Sequence, residues 1–326
     1  MTTTMTVGTI ETTAAVVVTD NNPFSKATFT EWIEFCDVQP TTQKTYNKAV
    51  ENFAAYLEAA DIAQPVKKDV ENYRDALLGS GNYKVSSVRL YLTVVKKFFR
   101  YLSSKAVYPN VADGVKLPAI ENVDEHAHDA LELDEAKAAI KSLDGTDEKT
   151  LRDKAVMSLM IGCGLRSIEV VRMDIGDFER RKGQWFVAVH GKGRRGKGES
   201  VPVSPAIKKL VDDYISVRPK GKKGTALFVS TAARNKGERL QTQTISRLAK
   251  RVFKGIGIDS SRVTCHSCRA TFATLALRFG VPIRKVAKIL RHRSTDTTEI
   301  YANDISKFNN DGVQVVSNHI FSFSKE

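Results

Sequence analysis

The sequence predicts a mainly α fold with one small β-sheet, arranged as a helical N-terminal domain followed by an α+β domain. Three observations carry this. Apolar residues recur at steps of three and four through most of the chain, the period that lines one face of a helix. One stretch alone reads as a strand and its return, W-F-V-A-V-H at 185–190 and S-V-P-V at 200–203, joined by a glycine-rich basic loop. Periodicity lapses between 110 and 128, where Gly114, Pro118 and the acidic run 121–125 read as an interdomain linker.

The 326 residues suffice for two ordinary domains, and a 42% hydrophobic content can fill their cores. Lys and Arg number 50 against 37 Asp and Glu, a formal net charge of +13, with an isoelectric point near 9.5. Such a balance favours a nucleic-acid partner, although an acidic membrane surface attracts the same charge. No run of eighteen apolar residues occurs, so no spanning segment is expected. The first eighteen residues are Thr-rich and lack the basic start of a signal peptide, so no export signal is expected. Cys265 and Cys268 form a C-x-x-C with no second pair to complete a zinc site; with Cys36 and Cys163 they are expected to be reduced, packing thiols.

Along the chain, residues 1–27 read as a tail and 28–113 as a helical domain. After Pro40, cap candidates Thr41 and Thr42 lead into Tyr46, Val50, Phe53 and Leu57 on one face. Pro65 opens a second stripe of Val66, Val70, Tyr73 and Leu77, and Val88, Leu92, Val95, Phe99 and Leu102 make a third. These stripes are a bundle core. Lys44, Lys48, Lys84, Arg89, Lys96, Lys97 and Arg100 lie off them as a candidate DNA-binding face. Past the linker at 114–128, the domain at 129–326 opens with helical patterns at 131–143 and 149–161. Gly162 and Gly164 then flank a turn before Leu165-Arg166, with Glu169 three residues on and able to pair with Arg166 within one helical turn. Lys192, Arg194 and Arg195 fall in the glycine-rich loop, which lacks the Ser or Thr and the following helix of a phosphate loop. Helical patterns return at 206–217 and 242–253, and 313–323 is an apolar tail.

The densest chemistry lies in residues 264–301. No carboxylate interrupts the chain between Asp259 and Asp296, while Arg262, Arg269, Arg278, Arg284, Lys285, Lys288, Arg291 and Arg293 accumulate. One charge sign interleaved with helical apolar spacing calls for an anion against it. His266 and Arg269 share a helix face, and a guanidinium fork fits two phosphate oxygens. His292 follows, and then Tyr301, whose hydroxyl can act as a nucleophile where cations stabilise its anion. Singly, each has a plain reading as a cap, a surface charge or a packing ring; jointly they point to phosphodiester chemistry.

Five segments closely resemble the landmarks of the tyrosine recombinase (phage integrase) family. They are H-S-C-R at 266–269, L-R-H-R at 290–293, Tyr301, C-G-L-R-S-I-E at 163–169, and G-K-G at 191–193 ahead of V-P-V at 201–203. The resemblance spans roughly residues 28–310. It implies a helical core-binding domain and a catalytic domain closing around duplex DNA as a C-shaped clamp. It also implies site-specific recombination through a 3′-phosphotyrosine and a Holliday junction, with four protomers on two duplexes and a monomer free in solution. Tyr301 is then the nucleophile, and Arg166, Arg269 and His292 hold the scissile phosphate. Lys192, favoured over Lys197, protonates the 5′ hydroxyl. His266 either orients the phosphate or acts as a base. Glu169 supports Arg166, and Arg293 joins the DNA-binding residues. No cofactor or metal is expected, since Arg and Lys supply the positive charge, and the expected location is the cytoplasm, at the nucleoid. The tail at 313–323 is expected to dock on a neighbouring protomer. Two departures from the family pattern remove no reacting group: Arg291 replaces a small residue and Cys268 an apolar one. The alternatives are a nicking-closing enzyme like the type IB topoisomerases and a DNA-binding regulator with a dead site.

Overall fold

The computed structural model describes residues 22–120, 128–190, 198–218, 225–292, 294–295 and 298–302. The chain divides into two compact units, residues 1–121 and 122–326.

The first unit is helical. Ser25 caps α1 (Lys26–Phe35), its hydroxyl accepting from the Thr28 N–H at 3.3 Å. Pro40 starts α2 (Pro40–Ala59), where its fixed φ suits a first helical position. Then come α3 (Lys67–Gly79) and α4 (Val85–Ser104). The three apolar stripes meet as one core that includes Val50, Phe53, Val70, Tyr73, Val88, Leu92, Val95, Phe99 and Leu102. Its centre is aromatic: Trp32 stacks on Tyr46 at 5.4 Å, and Phe24 meets Phe53, Phe98 and Phe99 edge-on at 5.8 to 6.3 Å.

Two sequence boundaries shift in this unit. Phe24, assigned to the tail, is 9% exposed in the core, and the helix it precedes was not anticipated as an element. Polar residues dilute that helix, so three buried side chains, Phe29, Trp32 and Ile33, make too short a stripe to stand out. The linker also begins later than expected. Ala112 and Val115 are buried, and residues 115–118 are strapped to the helices by Lys96 and Arg89, which donate to the Val115 carbonyl (2.7 Å) and the Pro118 carbonyl (2.5 Å).

In the second unit, α5 (Leu133–Lys141) precedes α6 (Glu148–Cys163), whose N-cap Asp147 accepts from the Lys149 and Thr150 N–H groups at 3.1 Å. Ala155, Val156, Met157, Leu159 and Met160 are all buried, so α6 is wrapped on every side and packs against α8 (Pro205–Val217) and α10 (Ser267–Arg278). Between them run α7 (Ser167–Val171), an antiparallel sheet of β1 (Phe178–Arg181), β2 (Gln184–Val189) and β3 (Glu199–Val203), and α9 (Thr242–Gly255). Helix α11 (Ile283–Leu290) completes the series, and residues 298–302 are helical.

Val187 pairs with Val201, and Val187, Val189, Val201 and Val203 are the buried, alternating face of the sheet. Strand β1 was missed because F-E-R-R offers one apolar residue in four. All four cysteines are free thiols; burial raises Cys163 to about 12 and pushes Cys268 up as well. No helix among the described residues is long and apolar enough to cross a membrane.

Candidate active site

The site grows from the end of α6. Gly164 caps that helix at φ +62, ψ 29, in the left-handed region. A Cβ there would lie 2.6 Å from Leu290 Cδ2 and 2.8 Å from Phe272 Cδ1, so both the conformation and the close approach demand glycine. The sharp exit places Arg166 as the cap residue of α7, and Glu169 sits in the first turn of that helix.

Glu169 is fully buried, and its carboxylate has several donors. Oε1 accepts from the Arg166 guanidinium at 2.9 Å; Oε2 accepts from the Arg166 backbone N–H at 2.8 Å and from Arg291 Nη2. The ion pair anticipated at i,i+3 is therefore formed. Its backbone half is the reach-back of a first-turn Glu to its own helix cap.

Arg269 lies in the first turn of α10, with 6% of its surface exposed. Its Nη1 donates to the Gly164 carbonyl at 2.6 Å, and Nη2 donates to the Leu290 carbonyl. One guanidinium thus ties the turn before Arg166 to the end of the helix before His292. Burial, followed by the Arg166 and Arg291 charges, pulls Arg269 down to about 9; Glu169 and Tyr301 act in the other direction. Burial is the largest cause and the two neighbouring guanidinium charges add to it; an anion placed here would act in the other direction.

His266 is exposed at the cap of α10, with its ring stacked on His128 at 5.3 Å between centroids. His128 Nδ1 in turn contacts Thr264 Oγ1 at 3.3 Å. His292 follows α11, and its Nδ1 meets the fully buried Thr298 hydroxyl at 2.7 Å. Tyr301, 5% exposed, packs with Ala270, Ala273, Val286 and Leu290 of α10 and α11.

Arg166, Arg269 and Tyr301 are thus gathered in one neighbourhood, with His292 one residue beyond Arg291, while His266 stands at the exposed start of α10. Lys192, Arg194, Arg195 and Arg293 lie outside the described residues, as does the tail at 313–323. The basic face of the first unit divides. Lys44 and Lys48 are exposed, whereas Arg89 and Lys96 are only partly exposed and spend donors on the 115–118 strap, and Lys97 donates to Tyr46 Oη at 2.8 Å. Sequence reasoning overlooked His128, which no local signal connects to His266, and gave no role to Arg291, whose left-handed cap (φ 56) could have marked it only in three dimensions.

Arg166, partly exposed and held by the buried Glu169, and the buried Arg269 near Tyr301 can hold a tetrahedral oxyanion against a nucleophile. Known proteins resemble this chain in sequence and in fold. The phage integrase family matches residues 129–307, and the N-terminal SAM-like domain of phage integrases matches residues 27–107. Tyrosine recombinase XerC of Caldanaerobacter subterraneus subsp. tengcongensis is 32% identical over 214 residues, 64% of this chain and 56% of that protein. Tyrosine recombinase XerA of Pyrococcus horikoshii is 30% identical over 245 residues, covering 74% of this chain and 78% of the relative. Among solved structures, the XerH site-specific recombinase bound to palindromic difH substrate, a post-cleavage complex, superposes with a TM-score of 0.70. That likeness covers 90% of this chain and 84% of the other at 17% identity, and it speaks for the fold. With the family pattern matched over more than half its length, the chain belongs to the phage integrase family, the tyrosine recombinases.

Proposed function

We propose that this tyrosine recombinase cuts and rejoins duplex DNA at specific sites, with Tyr301 as nucleophile. The observation that carries the reading is the buried Arg269 near Arg166 and Tyr301, whose described hydrogen-bond partners are the neutral Gly164 and Leu290 carbonyls. A scissile phosphate supplies the missing anion. Arg166, Arg269 and His292 hold its non-bridging oxygens and stabilise the charge that builds there. The Tyr301 oxygen bonds to phosphorus as the bond from phosphorus to the 5′ oxygen breaks. The phenolic proton leaves to a base, and Lys192 protonates the departing 5′ oxygen, which leaves as a hydroxyl. His266 either orients the phosphate or serves as that base. Reversal by a foreign 5′ hydroxyl exchanges strands with no external energy, because the phosphotyrosine conserves the bond.

The helical first unit, from Phe24 to residue 118, serves as the core-DNA-binding domain and residues 129–326 as the catalytic domain. Four copies act on two DNA sites through a Holliday junction, at the nucleoid. The DNA site comes from footprinting the protein on its flanking genomic DNA. On a nicked suicide duplex of that site, Tyr301→Phe should bind and form no covalent adduct. An adduct at the wild-type level from the Phe variant would remove Tyr301 from the mechanism.

A further inference from the structure

Arg291 closes α11 in the left-handed region, at φ 56 and ψ 42. A residue with a Cβ is less stable there than glycine, so the side chain is retained against a local cost. What it does is visible in its contacts. The side chain is 5% exposed, Nη2 donates to Glu169 Oε2, and Nη1 donates to the Ile289 carbonyl at 2.5 Å. Among the described residues its buried Nε has no hydrogen-bond partner, and it stands 3.9 Å from Glu199 Oε2 on β3.

Glu169 poses a problem that Arg291 answers. A fully buried carboxylate must be compensated, and Arg166 is its nearest cation. Alone, the two would form a one-to-one pair, and the charge of Arg166 would be spent on Glu169 instead of a phosphate. With Arg291 present, Glu169 is shared between two guanidinium groups. The buried carboxylate then fixes Arg166 in place without cancelling it.

We propose that Arg291 is a positioning residue of the reaction: it neutralises Glu169 so that Arg166 stays available to the phosphate. This rests on the phosphate-holding role of Arg166 and Arg269 given above. It concerns a position where this chain departs from the small residue of the family pattern.

The test uses the full chain with orthovanadate as a phosphate mimic, followed by adduct formation on the nicked duplex. Arg291→Gly suits the backbone there, so the variant should fold. It should bind orthovanadate about tenfold more weakly, the loss of one nearby charge at intermediate dielectric, and form adduct at least about tenfold more slowly. Arg291→Lys, which keeps the charge, should recover most of both. In a Glu169→Gln background, where no carboxylate needs neutralising, Arg291→Gly should lose most of its effect. Wild-type affinity and adduct rate in Arg291→Gly would overturn the proposal, and so would an equal loss in the Glu169→Gln background, which would mark a general structural role. If the wild-type chain binds no orthovanadate in a manner dependent on Arg166 and Arg269, and forms no adduct, the functional reading itself falls and takes this inference with it.

Discussion

Two arginines of the catalytic unit are buried to nearly the same degree, Arg152 at 4% exposed and Arg269 at 6%, yet their surroundings differ in kind. Arg152 is closed off. Its Nε and Nη2 donate to Asp153 Oδ1 at 2.9 and 2.7 Å, and its Nη1 donates to the Val229 carbonyl and the Thr231 hydroxyl. Arg251 takes the second oxygen of Asp153 at 2.6 Å. Arg269 has neutral carbonyls as its described partners, and the buried carboxylate in its neighbourhood is engaged by Arg166 and Arg291. A buried cation with its own anion is architecture. A buried cation without one fits the anion-holding role proposed for Arg269.

Substitution should cross over between the two sites. Asp153→Asn strands Arg152 and should cost about 3–5 kcal/mol by denaturant melt, the range for breaking a buried pair. Arg269→Met removes an under-compensated charge while leaving two carbonyls without their donor, so the melt should move by no more than about 1–3 kcal/mol. In adduct formation the order reverses. Arg269→Lys should lose about a hundredfold to a thousandfold, because a point charge cannot replace a fork beside a developing oxyanion, with DNA affinity little changed. Equal stability losses at both positions, or normal adduct formation by the Lys variant, would erase the distinction.

A smaller effect sharpens the same point. Gly164→Ala must displace Leu290 and Phe272 at a left-handed position, and it moves the carbonyl that anchors Arg269. It should cost about 1–3 kcal/mol of stability, with an adduct rate that falls further than the melt alone accounts for. A rate that merely tracks the folded fraction would show that the anchor does not position Arg269.

The smallest effect belongs to the first unit. If the exposed Lys44 and Lys48 each neutralise one phosphate, replacing both by Ala should reduce the slope of log affinity against log salt by about two. Arg89→Met should leave that slope alone, since its guanidinium donates to the Pro118 carbonyl. A slope unchanged by the double substitution would move the DNA face elsewhere.

The sequence by itself determined the helical stripes, the basic stretch at 264–301 and the candidate side chains within it, because each is a local matter. Helical period, turn-forming glycines and residue type are written within a few positions of one another. It could not register α1, whose polar dilution hid its apolar face, or β1, which earns its strand by pairing Phe178 with Val187. Nor could it assign the segment 115–118 to the first unit, since that rests on Lys96 and Arg89 reaching it from α4. Tertiary structure alone decided how the charges at the site are partitioned. The Arg269 contact with Gly164 bridges 105 positions, and the Arg291 contact with Glu169 bridges 122. At such separations the partner of a charge is set by how α6, α10 and α11 pack, and no periodicity along the chain encodes it.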